Sequence, residues 1–245
     1  MRKISLIFFL LSNFSFSQNI ELPFIDGESC TYRISYGIFG GGEAKYVLNK
    51  NHKETKVVVS GSSNSFVDIF FMVRNRYETI VNNSTLLPRY FKRDNIEGGY
   101  KIKQEYNFNY NSNTIFTQKG IFDLVPNSFD MISAFIYGRA LTTSYLKENS
   151  ILYINLFLDE ENYNMQVNFL GTEIIPTSIG KIQCLKFSPK VQTGRVFKNE
   201  DDLTIWVSDD KNHLLIKVEM GILVGSIEAN ITSVENIKFP LSITE

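Results

Sequence analysis

The amino-acid sequence predicts a mainly β fold: a curved antiparallel sheet or half-barrel with one or two short helices packed on it. Apolar and polar residues alternate along many short runs, which is the period of a strand with one face in water. The composition is also biased towards aromatic residues, with 20 Phe and 12 Tyr against one Trp. Aromatic side chains favour pleated, half-buried surfaces, so the composition and the alternation indicate the same fold class.

The first half of the chain predicts a hairpin and then a series of strands. Residues 31–39 alternate cleanly, and the three glycines at residues 40–42 favour a turn before a return strand. Further strands are predicted at residues 56–60, 73–81, 100–109 and 115–118. Residues 66–72 are apolar and fit either a short helix or a strand. Gln104 shares one face of its strand with Ile102 and Tyr106.

One helix is predicted from Ser128 to Ala140. Phe129, Ile132, Ile136 and Ala140 recur at helical spacing and form an apolar stripe. Asn127 or Ser128 is expected to cap the start of the helix, by accepting a hydrogen bond from a backbone amide that has no partner within the helix. We expect the stripe to pack against the sheet.

The second half of the chain predicts a ladder of strands joined by short connections. They fall at residues 151–158, 163–169, 182–187, 203–207, 214–220 and 227–231. Residues 151–158 are apolar at both parities, which predicts a central strand. A bulge or bend after Cys184 would reconcile the change of parity between Ile182 and Phe187. Short connections between successive strands predict antiparallel neighbours.

The N-terminus has the three parts of a secretory signal peptide. Arg2 and Lys3 are basic, residues 4–11 are largely apolar, and small residues at Ser15 and Ser17 precede a predicted cleavage site. The sequence therefore predicts a signal peptide at residues 1–17 and a single β-rich domain at residues 18–245. The apolar run is too short to span a membrane, and no cysteine follows it directly, so neither a membrane anchor nor a lipid anchor is expected.

The charge balance does not indicate a polyanionic partner. The formal net charge is -1, and removal of Arg2 and Lys3 with the signal peptide leaves -3. A nucleic-acid-binding protein normally carries a basic patch, so no nucleic-acid partner is expected. Beyond the signal peptide there is no run of 18 apolar residues, so no transmembrane helix is expected in the mature chain.

The cysteines and histidines suggest no metal or redox chemistry. Cys30 and Cys184 lie in strand-like runs, and in an oxidising compartment they are either bridged or buried as free thiols. His52 and His213 have no metal-ligand spacing and are both expected at the surface. No metal and no cofactor are therefore predicted.

Acidic residues cluster in the connections between strands. They fall at residues 159–161, 200–202 and 209–210, where solvated turns are the expected structure. A glycosidase-like acid–base pair would need one carboxyl in an apolar pocket, and no nucleophile-elbow motif occurs. A non-enzymatic protein is therefore predicted, and a hydrolase is the weakest alternative.

Three residues are the candidates for a binding site: Arg76, Arg139 and Trp206. The two arginines lie in otherwise apolar stretches, where a buried charge needs a partner. A structural ion pair or a hydrogen bond to the backbone is the simpler role for both. Trp206 belongs to the aromatic excess that would line a groove for an apolar ligand, although core packing is the simpler role for each aromatic residue taken singly.

Short motifs are spaced in order across nearly the whole mature chain. They are GE (27–28), YRISYG (32–37), NRYET (75–79), LP (87–88) with YF (90–91), SAFIYGR (133–139), GTE (171–173), GKIQC (180–184) and WVSDD (206–210). Together these motifs resemble the domain-of-unknown-function 3108 family of exported bacterial proteins. The resemblance implies an envelope-facing protein with a curved antiparallel sheet, broadly like half-barrel lipoprotein carriers, and no known activity. Asn75 stands where the family often has Asp, and Leu214 and Leu215 stand where it often has Pro, so a shared site at Arg76 stays open.

Two function hypotheses follow from these patterns. The first is an exported module, periplasmic or associated with the outer membrane, that holds an apolar or lipid-like ligand in the concave face of its sheet. The second is a structural or assembly factor that contacts envelope proteins at the outer membrane, for example through exposed strand edges.

Overall fold

The computed structural model describes residues 21–37, 39–193, 197–222 and 225–245. The predicted signal peptide at residues 1–17 lies outside these residues. Within them the chain forms sixteen strands and three helices, and every strand belongs to one open, curved sheet. The predicted fold class is therefore confirmed.

The strands form two meanders that meet side by side. The strands are β1 (Ser29–Tyr36), β2 (Phe39–Lys50), β3 (Glu54–Ser63), β4 (Val73–Asn82), β5 (Pro88–Glu97), β6 (Tyr100–Asn109), β7 (Thr114–Thr117), β8 (Gly120–Asp123), β9 (Ser128–Phe129), β10 (Ile151–Leu158), β11 (Glu161–Thr177), β12 (Gly180–Pro189), β13 (Leu203–Ser208), β14 (Leu215–Gly221), β15 (Ser226–Glu235) and β16 (Ile243–Thr244). Strands β1 to β8 are neighbours in chain order, and so are β10 to β15. The pairing of β1 with β15 joins the two meanders, and β16 pairs with β12.

The pairing is antiparallel throughout except between β9 and β10. This agrees with the prediction from the short connections. The prediction of a central strand at residues 151–158 is wrong, because β10 has only the two-residue β9 beyond it. On one face of β10, Leu152 and Leu156 pack in neighbouring clusters of the core. On the other face, the apolar residues Ile151 and Tyr153 are exposed rather than buried.

The first hairpin turns earlier than predicted. Tyr36 pairs with Phe39, so the chain reverses between these two residues, and the glycines at residues 40–42 lie inside β2. Gly41 is the extra residue of a bulge opposite Ile34 and Ser35. A Cβ on Gly42 would lie 2.1 Å from the carbonyl oxygen of Ser62. Gly42 therefore permits a close approach of β2 and β3, and none of the three glycines forms the turn.

The parity change in β12 also has a different cause from the one predicted. Strand β12 pairs without interruption from Gly180 to Phe187, and the extra residue, Leu170, belongs to its partner β11. Ile182 and Cys184 pack in the main cluster of the core, whereas Leu185 and Phe187 pack in a separate one. Both faces of β12 are covered, so apolar residues of both parities are buried.

The three helices are α1 (Ser65–Asp68), α2 (Met131–Ala140) and α3 (Thr143–Glu148). The predicted helix at Ser128–Ala140 is present, but it begins three residues later. Ser128 and Phe129 are paired in β9, and the buried Asp130 caps α2 by accepting hydrogen bonds from the backbone amides of Ile132 and Ser133. The prediction of a cap at Asn127 or Ser128 is wrong.

Helix α2 fills the space enclosed by the curved sheet. Ile136 is fully buried in the main cluster, and Phe135 and Met131 pack against two other clusters. Ala134 and Tyr137 pack in a fourth. A helix that is apolar on all sides is a core helix, so the concave face is occupied by the protein's own side chains.

Candidate functional site

Arg76 lies on an exposed groove of the sheet. More than half of its side chain is exposed, and its guanidinium lies 3.6 Å from the carboxylate of Glu78. The groove is shallow, has a volume of about 360 Å³ and is lined by Glu43, Lys45, Ser60, Gly61, Ser62, Arg74, Asn75, Arg76, Asp94 and Ile96. Most of the lining residues are polar or charged, with both signs of charge, so an apolar ligand in this groove would lie against charged groups.

Arg139 is buried in α2 and makes a two-pronged ion pair with Glu28. Its two terminal nitrogens lie 2.6 and 3.0 Å from the two carboxylate oxygens of Glu28. Its Nε donates to the carbonyl of Asn212 at 2.9 Å, and its guanidinium lies over the rings of Phe24 and Tyr46. Both charged groups are almost fully buried. The structure therefore shows the structural ion pair that was the simpler role for Arg139.

Trp206 is a packed residue of β13. Its indole nitrogen donates to a carboxylate oxygen of Glu173 at 2.9 Å, and the ammonium groups of Lys186 and Lys217 each lie 5.0 Å from its ring. Because lysines cover the ring and 4% of the residue is exposed, it offers no stacking surface.

The three predicted site residues do not come together. Five strands separate Arg76 on β4 from Trp206 on β13 in the order of the sheet. Arg139 lies on α2 and is paired with Glu28, just before β1. The structure instead shows two features that the sequence reasoning missed.

The first feature is a polar cluster on the helix side of β4, β5 and β6. It consists of Asn75, Arg93, Asn95 and Gln104, and is called the inner polar cluster below. Asn75 pairs with Asn95 across β4 and β5, and Arg93 pairs with Gln104 across β5 and β6. Their strands carry the buried Phe91 and Tyr106 at the same parity, next to Phe157. A signal was present in the sequence, since Gln104 occupies a core position of an alternating strand.

The turn between β10 and β11 covers this cluster with two carboxylates. Asp159 pairs with Arg93, and Gln104 donates to both carboxylates at 3.2 and 3.1 Å. Lys119, from the turn after β7, lies 2.5 Å from Glu160. The contacts join β10 and β11 to the far limb of the sheet.

The second feature is an exposed apolar loop between β3 and β4, formed by residues 66–72. Phe66, Ile69 and Phe70 are 64%, 74% and 78% exposed, and Phe66 and Phe70 form an edge-to-face pair. Phe39 of the neighbouring hairpin is 63% exposed. The apolar run was visible in the sequence, but alternation alone does not tell a core strand from a displayed loop.

The apolar loop is held in place at both ends. Asn64 accepts from the amide of Val67 and donates to the carbonyl of Gly40 at 2.8 Å. The carbonyl of Met72 accepts from the amide of Gly98 at 2.8 Å. A Cβ on Gly98 would lie only 2.6 Å from the ring of Phe71, so the ring packs directly against this glycine. The exposed side chains therefore stand on an anchored loop.

His213 is buried, so the prediction of a surface histidine is wrong at this position. Its Nδ1 donates to the carbonyl of Arg139 at 2.9 Å, and its Nε2 lies 2.9 Å from the hydroxyl of Thr143. Burial lowers the pKa of this imidazole. His52, in the exposed turn after β2, agrees with the prediction.

The cysteines and acidic residues form no metal site among the residues that the structure describes. Cys30 and Cys184 are both free and buried in the main cluster. In the same described ranges, no helix has the length and apolar character of a membrane-crossing segment.

Comparison with solved structures shows a similar fold. The fold of this chain is similar to the crystal structure of a beta-barrel-like protein of domain of unknown function DUF1849 from Brucella abortus, with a TM-score of 0.60 and 10% sequence identity over 88% of this chain and 99% of that one. At this identity the likeness shows the fold alone. The comparison with curated proteins gave no significant match.

The family follows from the sequence itself. Residues 31–232 match the family described as protein of unknown function (DUF3108). The match covers most of the chain, so the protein belongs to this family, as its short motifs indicated.

Proposed function

We propose that the protein is a non-enzymatic binding module of the cell envelope that docks on a lipid surface through its apolar loop. The N-terminal pattern of residues 1–17 supports export, to the periplasm or the outer membrane without a lipid anchor. The ligand is lipid-like, as the sequence predicted, but it binds at the apolar loop and not in the concave face of the sheet. Since α2 and its neighbours fill the concave face, the surface offered to lipid is the loop at the end of the sheet.

The observation that carries this proposal is the exposure of Phe66, Ile69 and Phe70 on an anchored loop. Removing one such side chain from water contributes roughly 2 kcal/mol. Because the loop is already fixed, docking adds little cost of ordering the backbone. Three side chains thus suffice for reversible attachment to a membrane surface.

Lipid fits the loop better than a protein partner does. A stable protein interface uses about 20–30 residues on each side, whereas the exposed apolar side chains here come from one short connection and Phe39 beside it. Charges close to the loop are already paired, as Arg74 is with Asp68 at 2.5 Å. A small apolar tip with a polar base suits shallow insertion between lipid headgroups.

Vesicle co-sedimentation of the protein purified from its own cells tests the proposal. We expect the protein to pellet with vesicles of phosphatidylethanolamine and phosphatidylglycerol. Replacing Ile69 and Phe70 together by Ser should weaken the apparent affinity for vesicles about a thousandfold, because the two lost side chains contribute roughly 4 kcal/mol between them.

The matched control is Tyr153→Ser on β10, because Tyr153 is 64% exposed, as Phe66 is. This variant should bind vesicles like the native protein. Failure of the native protein to bind vesicles would contradict lipid docking. Recovery of a specific protein cross-linked to the loop in cells would favour the assembly-factor hypothesis instead.

A further inference from the structure

The inner polar cluster holds hydrogen-bonding groups that the protein itself leaves unused. Asn95 and Gln104 are each 3% exposed. The side-chain oxygens of Asn75, Asn95 and Gln104, and the Nε of Arg93, are buried and have no hydrogen-bond partner among the described residues. Native proteins keep few such groups, so four within one cross-strand cluster need an explanation.

The amide nitrogens of the same side chains are engaged. Because carboxylates can only accept, the carboxylate partners of Asn75 and Gln104 fix the way these two amides point. Asn75 donates to Glu97 at 2.9 Å, Asn95 donates to the hydroxyl of Tyr77 at 2.6 Å, and Gln104 donates to the two carboxylates of the turn. With the nitrogens used in this way, the oxygens are left as a set of acceptors on one face of the sheet.

The carboxylates of Asp159 and Glu160 occupy the donor side of the cluster. They meet the guanidinium of Arg93, the amide of Gln104 and the ammonium of Lys119. Arg93 is mostly buried, whereas Asp159 is about half exposed. The sheet side of the cluster thus binds two carboxylates, of which that of Asp159 is half exposed and that of Glu160 is mostly buried.

We propose that the inner polar cluster is a binding site for a small hydroxylated organic anion, and that the turn between β10 and β11 is an internal plug that occupies it. The anionic group of the ligand replaces the plug carboxylates on Arg93 and Lys119. Its hydroxyl groups donate to the amide oxygens of Asn75, Asn95 and Gln104. This site is independent of the lipid docking proposed above, which uses the exposed side chains of the apolar loop.

The plug can be neutralised without destroying the hairpin. Asp159 and Glu160 are the two central residues of a two-residue turn, and both have positive φ, at 51° and 65°. Asn followed by Gly is the sequence that this type of turn favours. The double substitution Asp159→Asn with Glu160→Gly therefore removes both charges and keeps the turn.

Isothermal titration calorimetry with D-glucuronate, a hydroxylated carboxylate, tests the proposal on the full chain. Without the plug, the buried Arg93 has lost its carboxylate partner and takes one from solution. We expect the plug-neutralised variant to bind D-glucuronate at least about tenfold more tightly than the native protein does. Adding Arg93→Gln to the same variant should abolish binding.

Acetate carries a carboxylate but no hydroxyl groups. It therefore separates the contribution of the basic side chains, which bind the anion, from that of the amide oxygens, which bind the hydroxyl groups. We expect acetate to bind at least about tenfold more weakly than D-glucuronate to the plug-neutralised variant. Circular dichroism must show the native sheet content in each variant. If the folded plug-neutralised variant binds neither anion, or binds both equally, the proposal is overturned and the turn only clasps the two limbs of the sheet.

Discussion

Arg139 shows how much the sequence context of a single residue reveals. A charge in an apolar stretch needs a partner, and the sequence therefore predicted an ion pair or a backbone bond. The structure supplies both, through Glu28 and the carbonyl of Asn212. The partner was not predictable, because Glu28 lies 111 residues away and only the folded chain brings the two together.

The first prediction concerns this buried pair. Arg139→Met should lower the free energy of unfolding by about 3–5 kcal/mol, because it leaves the buried Glu28 carboxylate uncompensated. Urea denaturation measures the change. The matched variant Arg76→Met removes an exposed charge and should cost less than about 1 kcal/mol. Equal losses in the two variants would show that the Arg139 pair adds nothing specific.

The start of α2 shows the same limit for an element. Asn127 and Ser128 both have good capping chemistry, and local preference selected them. The structure keeps Ser128 and Phe129 extended because they pair with β10, so the helix begins only after Asp130. A long-range pairing thus overrides a local preference, and no local pattern contains that information.

The second prediction follows from the position of Asp130. Its carboxylate accepts from the hydroxyl of Thr79 at 2.7 Å as well as from the first turn of α2, and burial raises its pKa. Asp130→Ala should lower the free energy of unfolding by about 2 kcal/mol or more, because it removes the cap and leaves buried donors unpaired.

Ser128→Ala is the control, because the Ser128 hydroxyl has no hydrogen-bond partner among the described residues. This variant should stay within about 0.5 kcal/mol of the native protein. Thermal unfolding of both variants tests the assignment. A larger loss from Ser128→Ala than from Asp130→Ala would return the cap to the position predicted from sequence.

At the scale of the whole molecule, His213 links three parts of the fold. Its side chain contacts the end of α2 at the carbonyl of Arg139 and the start of α3 at the hydroxyl of Thr143. In the chain it lies two residues before β14. Because the carbonyl can only accept, Nδ1 carries the proton and Nε2 accepts from the hydroxyl. In the neutral imidazole, therefore, both ring nitrogens have a hydrogen-bond partner.

The third prediction is the pH dependence of global stability. The folded state lowers the pKa of His213 below its unfolded value of about 6.5, so the unfolded chain binds the proton more readily. The stabilisation is complete above this value and is lost as the pH falls below it. Between pH 7.5 and 5.5 the native protein should lose more unfolding free energy than His213→Asn does.

Asparagine tolerates the left-handed backbone at this position, where φ is 45°. Urea denaturation of both proteins at the two pH values measures the difference in slope. Parallel loss of stability in the native protein and the variant would assign the pH dependence to other groups.

The alternation of apolar and polar residues determines how much of the whole fold could be predicted. It reports which residues share a face, so most of the strands and the antiparallel neighbours were predicted, whereas the short strands β8, β9 and β16 were not. It does not report which distant strands pair, so the joining of β1 with β15 and the outer position of β10 were not. Gln104 and the apolar run at residues 66–72 were visible, but their exposure and their neighbours are set by the tertiary structure.

The reactivity of the thiols of Cys30 and Cys184 reports how often the fold opens. Both sulfurs are sealed in the main cluster, and burial raises the pKa of each thiol to about 12. The thiolate, which is the reactive form, is therefore scarce at neutral pH. An alkylating reagent reaches these atoms only when the sheet opens, so the rate at which the chain gains mass measures how often it does so.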